Sequence, residues 1–101
     1  MNQDELAVSF AVDGVAVVTG AAQGIGASTA REFAKQQAHV ALIDIDEAAA
    51  QKVAAEIKTG GARAMVVRTD VTDDVSVTDA FKKIADEYGG IDILVNSAGG
   101  Y

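Results

Sequence analysis

The sequence predicts an α/β fold, part of a doubly wound parallel sheet, with elements ordered β-α-β-α-β-α-β and strands ordered 3-2-1-4. Three observations carry this expectation. Four short runs are apolar throughout instead of alternating, as in strands covered on both faces. Between them lie three stretches with apolar residues at helical spacing. Glycines fall at the junctions, and proline is absent from all 101 residues. Right-handed crossovers then leave few strand orders, and 3-2-1-4 is the simplest.

The elements follow in chain order. Val15 to Val18 reads as the first buried strand. Ile25 to Gln37 reads as a helix with Ala30, Phe33, Ala34 and Gln37 on one side. Val40 to Ile43 is the second strand. Asp46 can cap a helix reaching about Thr59, with Ala50, Val53, Ala54 and Ile57 at helical spacing. Ala64 to Val67 is the third strand. Asp74 to Tyr88 forms a helix whose stripe is Val77, Ala80, Phe81, Ile84, Ala85 and Tyr88. Ile91 to Val95 is the fourth strand. No repeat or linker interrupts this order, so residues 1–101 are expected to form a single domain. A chain of this length buries roughly 65% of its extended surface, which leaves a thin margin of stability.

Charge and composition exclude several functions. The formal net charge is −7, the opposite of the basic footprint of a nucleic-acid binder or a protein drawn to anionic membranes. No cysteine is present, so there is no disulfide framework, thiolate metal site or cysteine nucleophile. A reducing, cytoplasmic location fits. The first residues are acidic, with too short an apolar stretch for a signal peptide. No apolar run approaches the ~20 residues that span a bilayer. No histidine and carboxylate cluster has metal-ligand spacing, so no metal is expected.

The strongest local signal is TGAAQGIG, Thr19 to Gly26, which ends the first strand and opens the first helix. A helix N-terminus carries unpaired N–H groups and partial positive charge, so it attracts phosphate. Gly20 permits the tight turn, Gly24 lets backbone approach a pyrophosphate, and Gly26 lets the helix pack close to the strand. Without a ligand, the same residues would simply form a capping turn. The second signal is Asp44, 18 residues after Gly26 at the end of the second strand. A carboxylate there can accept hydrogen bonds from both hydroxyls of an adenosine ribose and repel a 2′-phosphate. The alternative is a carboxylate that only starts the DIDE turn. No lysine or arginine lies in the glycine turn or just after Asp44, so NAD is expected over NADP. The sheet is then of Rossmann type, and its ligand loops all fall at the carboxyl ends of strands.

TGAAQGIG, Asp44, DVT at Asp70 to Thr72 and NSAG at Asn96 to Gly99 together resemble the short-chain dehydrogenase/reductase family, over essentially Phe10 to Gly100. The resemblance implies an oxidoreductase that moves hydride between a nicotinamide and a carbonyl or alcohol carbon. It implies a cofactor set of Gly20, Gln23, Gly24, Ile25, Gly26, Asp44, Ile45, Asp70, Val71, Asn96, Ala98 and Gly99. Asp70 would meet the adenine amino group, supported by the Val71 backbone. Ile25 would face the pyrophosphate and nicotinamide side through its backbone. The NSAG turn would line the adenosine ribose, with Asn96 also tying strands together.

Three departures from the family pattern stand out. Ser97 replaces the usual second asparagine of NNAG, with a mild effect expected because a hydroxyl still bonds locally. Gln37 and Ala38 stand where a helix-ending glycine is usual, and a left-handed cap at a non-glycine costs ~1 kcal/mol. The family's catalytic serine, Tyr-x-x-x-Lys pair and later asparagine would lie past Tyr101. The 101 residues are therefore expected to be a truncated cofactor-binding half, inactive alone, with no catalytic residue. Tyr88 is followed four residues later by Asp92, not lysine, and His39 begins a strand at the end opposite the ligand. One sheet face would carry two helices and the other only one, so self-association through the uncovered sheet is expected. The competing reading is a non-catalytic module for a dinucleotide or adenine nucleotide. A methyltransferase-like domain would lack DVT and NSAG, and no Gly-Lys-Ser/Thr marks a P-loop.

Overall fold

The protein is described here by a computed structural model covering residues 14–97. Residues 1–13, with the N-terminal segment, and residues 98–101, with Ala98, Gly99 and Tyr101, lie outside the described residues.

The order is β1 (Val15–Thr19), α1 (Gly24–Lys35), β2 (His39–Asp44), α2 (Glu47–Thr59), β3 (Arg63–Arg68), α3 (Asp74–Tyr88) and β4 (Ile93–Asn96). The four strands form one parallel sheet in the order β3-β2-β1-β4, as the sequence predicts. β1 sits inside the sheet, and its five residues are all buried, because both of its faces are covered.

Side-chain alternation along the strands builds two cores. Ala16, Val18, Val40 and Leu42 point to one face and meet Ala27, Ala30 and Ala34 of α1 and Val53, Ala54 and Ile57 of α2. Val15, Val17, Ala41, Ile43 and Val67 point to the other and meet Ala80 and Ile84 of α3. The alanines on α1 and α2 permit close approach of both helices to the sheet. α3 lies over β2 and β3. Leu94 in β4 is consequently 51% exposed, although it stands in register with fully buried Val17.

Several local expectations are corrected. α1 ends at Lys35, because Gln37 takes φ 72° in the left-handed region. Gln37 N–H donates to Ala34 O (3.0 Å) and Ala38 N–H to Phe33 O (3.2 Å), closing a Schellman motif with a non-glycine at its critical position. α2 closes in the same way through Gly61, φ 93°. Gln37 is thus exposed rather than part of the apolar side, and Ala27 takes the buried place. Ala85 is exposed, since the buried line of α3 runs through Ala80 and Ile84. β4 begins at Ile93, not Ile91. Val15 N–H donates to the Asp92 side chain (Oδ2, 2.7 Å) while Asp92 N–H donates to Val15 O (3.0 Å), so a side chain supplies the rung before the strand starts.

Candidate functional site

The carboxyl ends of β1, β2, β3 and β4 gather at one edge of the sheet, and each continues into a loop singled out from the sequence. At the end of β1, Gly20 adopts φ 66°, and its N–H donates to Ile43 O at 2.8 Å. The turn is therefore tied to β2 before α1 begins. Gly26 is buried at the crossing of this turn with the β4 end. A Cβ there would stand 2.7 Å from Ser97 Oγ, 2.8 Å from the Gly20 carbonyl carbon, and closer still to the Gly20 oxygen. The close-packing role expected for Gly26 is what the geometry demands.

The three helix N-termini differ. Asp46 caps α2 by accepting from Ala49 N–H (3.1 Å), and Asp73 caps α3 by accepting from Val75 N–H (3.0 Å). Both helices also carry an acid in the first turn. The N-cap of α1, Gln23, has extended backbone and no side-chain cap bond, and the helix has no acid in its first turn. Its leading N–H groups and partial positive charge are left for an external anion. Gly24, with φ 60° and nothing within 4 Å of a would-be Cβ, keeps that end open.

Asp44 is half-buried, and both of its oxygens are oriented by backbone. Oδ2 accepts from Ala22 N–H (3.0 Å) in the glycine turn, and Oδ1 accepts from Asp46 N–H (2.9 Å). Each carboxylate oxygen retains a further lone pair. Asp70 accepts from Thr72 twice through Oδ1, from the hydroxyl at 2.6 Å and the N–H at 2.9 Å. The Thr72 hydroxyl bond, then the Thr72 N–H, hold its carboxyl below the ordinary 3.8; slight desolvation opposes them, and the Arg68 charge adds to the lowering. Asn96 Oδ1 accepts from the Thr19 hydroxyl (2.8 Å), and the Ser97 hydroxyl donates to Thr19 O. The β1 and β4 ends are thereby joined, as expected of Asn96.

One cleft of ≈ 420 Å³ takes in Gly20, Gln23, Asp44, Ile45, Asp70 and Val71 from the expected set. This lies within the roughly 300–1,000 Å³ of small-molecule sites. Ile45 (54% exposed) and Val71 (43%) are large apolar side chains left facing solvent at its walls. Gly24, Ile25, Gly26 and Asn96 are not in its lining; Ile25 projects to solvent, Gly26 is packed beneath, and Asn96 bonds to Thr19. Thr69, Thr72 and Ser97 line the cleft without having been singled out as ligand residues. Thr72 and Ser97 belong to the DVT and NSAG motifs, and Thr69 directly precedes DVT, which is the sequence signal they carry. One expectation about charge is corrected. No basic residue comes just after Asp44 along the chain, but strand pairing sets Arg68 directly opposite Asp44.

Other features lie away from this edge. A hollow of ≈ 240 Å³ between α1 and α2 is bridged by the Arg31–Glu56 ion pair (2.8 Å) and lies towards the helix C-termini. His39 begins β2 and packs edge-on to Tyr88, ring centroids 5.1 Å apart. The Tyr88 hydroxyl donates to Val40 O at 3.2 Å, and burial pushes it up to about 12. No group of three or more potential ligands for a metal exists among the described residues, and no described helix is long and apolar enough to cross a membrane.

The strand order and glycine-turn geometry are those of the Rossmann-type, dinucleotide-binding class of folds. A family model described as short chain dehydrogenase matches residues 14–101, and the chain belongs to that family. The chain is 51% identical over 85 residues to cis-4-hydroxycyclohexanecarboxylate dehydrogenase of Sinomonas cyclohexanicum, covering 84% of this chain and 34% of that protein. Among solved structures, one described as a D-mannonate oxidoreductase of Haemophilus influenza with bound NAD superposes at TM-score 0.86. It is 32% identical and covers 91% of this chain and 33% of its own. L-Sorbose reductase of Gluconobacter frateurii, complexed with NADPH and L-sorbose, superposes at TM-score 0.84 and 35% identity, covering 92% and 35%. The chain spans about a third or less of the length of the curated relatives it matches.

Proposed function

We propose that this chain, as one domain, is the NAD(H)-binding portion of a short-chain oxidoreductase acting on a carbonyl or alcohol. The carrying observation is the cleft that joins an uncapped helix N-terminus to an oriented carboxylate, Asp44. The pyrophosphate would lie at Gly24, Ile25 and Gly26, where α1 offers unshared N–H groups. The ribose hydroxyls would donate to Asp44. The adenine would lie between Ile45 and Val71, with its amino group donating to Asp70. Asn96, Ala98 and Gly99 would complete the wall on the β4 side. When bound, the nicotinamide carries the hydride exchanged with the substrate carbon; the residues of this chain bind and orient it.

NAD is favoured over NADP because the Asp44 charge opposes a 2′-phosphate. A calorimetric titration tests this reading. NAD is expected to bind with measurable heat, and Asp44→Ala to weaken it about tenfold or more, given ~1.5–3 kcal/mol for charge-assisted hydrogen bonds. Absence of NAD binding by the wild-type chain removes the proposal.

A second reading, a non-catalytic dinucleotide module, is supported by one observation. Tyr88 is the only tyrosine among the described residues, and its hydroxyl is engaged by Val40 O at the edge away from the cleft. The 101 residues alone are accordingly proposed to bind without turnover. Oxidation of NADH in the presence of a carbonyl panel would separate the two readings. The exposed Leu94 face supports self-association, which sedimentation over a wide concentration range tests; a monomer at every concentration removes it. The absence of cysteine supports a cytoplasmic location.

A further inference from the structure

We propose that Arg68 is a specificity-determining residue of the adenosine end, offsetting the Asp44 charge so that a 2′-phosphorylated adenosine is also accepted. The proposal rests on the dinucleotide reading above and deepens it. Asp44 and Arg68 are register partners on adjacent parallel strands. Paired strands lie ≈ 4.8 Å apart, and side chains directly opposite one another leave the sheet on the same face. Alternation fixes which face. Leu42 and Val66 belong to the core under α1 and α2, while Ile43 and Val67 belong to the α3 side. Two residues on from Leu42 and Val66, Asp44 and Arg68 share the α1/α2 side, where Asp44 already reaches Ala22 of the glycine turn.

Arg68 is exposed, and no carboxylate among the described residues comes within ion-pair distance of it. Its charge still reaches the cleft, since it contributes to holding the Asp70 carboxyl down. Its neighbours Thr69 and Asp70 line that cleft. A guanidinium there, with five donors and a planar fork, suits a phosphate bidentately. Asp44 selects for ribose hydroxyls, and Arg68 limits the repulsion a 2′-phosphate would meet.

The test compares AMP with adenosine 2′,5′-bisphosphate, and NAD with NADP, on the full chain and on Arg68→Met and Arg68→Lys. The wild-type chain is expected to bind both members of each pair, with only modest preference for the unphosphorylated one. Arg68→Met should weaken the 2′-phosphorylated ligands about tenfold, leave AMP and NAD within about twofold, and flatten the salt dependence, as loss of one charge-assisted phosphate contact implies. Arg68→Lys should restore part of the loss. An Arg68→Met chain with an unchanged ratio, or one weakened equally for both members, overturns the role of Arg68 while leaving the NAD reading intact. Failure of the wild-type chain to bind AMP and NAD overturns that reading, and the Arg68 role with it.

Discussion

Gly26→Ala is the sharpest probe of the fold, because its obstacle is backbone. The added methyl would sit 2.8 Å from the Gly20 carbonyl carbon, where ordinary contact begins at 3.4 Å. The α1–turn gap must open by about 0.6 Å at that contact alone, at an energy where dispersion turns to steep repulsion. Overpacking of this kind costs about 1–3 kcal/mol. The better helix propensity of alanine returns up to ~1 kcal/mol. With an unyielding wall, a net loss of about 2 kcal/mol is expected, a fall in melting temperature on the order of 10 °C for a domain this size. NAD affinity should fall as well, since α1 carries its N-terminal donors with it. Thermal and urea melts read the first effect, and calorimetry the second. Two variants isolate the cause. Adding Ser97→Ala to Gly26→Ala removes one of the crowded atoms but leaves Gly20, so less than half the loss should return. Gly24→Ala meets no atom within 4 Å and suffers only from φ 60°, so Gly24→Asn should recover part of its loss, whereas Gly26→Asn should be worse than Gly26→Ala. A Gly26→Ala melt within about 2 °C of wild type would refute the packing argument.

Further outcomes follow from single contacts. Asp73→Ala removes the cap from Val75 and Ser76 N–H and should cost about 1 kcal/mol in urea unfolding, with Asp73→Asn much milder. Gln37→Gly relieves a left-handed φ of 72° and should raise stability by up to ~1 kcal/mol, read as a higher urea midpoint at unchanged slope. Tyr88 has a folded value raised from 10.0 to about 12 by burial, so its contribution is intact below pH 10 and is lost as pH rises towards 12. Tyr88→Phe should flatten that alkaline arm and cost ~1 kcal/mol at neutral pH through the lost bond to Val40 O. Asp70 is lowered, so its contribution is present above pH 3.8 and is lost as pH falls through the lower folded value; Asp70→Asn should shrink that acid-side loss in a pH series of melts.

The sheet order and all seven elements were legible because buried parallel strands are apolar without alternation and the helices keep their period. The glycine turn was legible because each glycine answers a separate geometric demand, which Gly20, Gly24 and Gly26 meet in turn. What escaped the sequence depends on partners distant along the chain. Arg68 is 24 residues from Asp44, and only strand register makes them neighbours. The role of Asp92 depends on Val15 across the sheet, so the start of β4 could not be placed from local hydropathy. Ala85 looked like stripe, yet helix position alone does not say how far a neighbouring sheet extends beneath it. Ser97 read as a mild substitution, while in the fold it bonds Thr19 O and presses against Gly26.

The reciprocal bonds between Val15 and Asp92 also bear on the order in which the molecule assembles. Val17 meets Ala41, 24 positions further along the chain, but Leu94 lies 77 positions further. Closing the longer loop costs about 1 kcal/mol more in chain entropy. β1, β2 and β3 can therefore gather first, leaving one flank of β1 unpaired until β4 arrives. The Asp92 clasp, just ahead of β4, is placed to set that strand in register with β1. Docking β4 brings Ser97 against Gly26, so the cleft lacks its β4-side wall until that strand is in place.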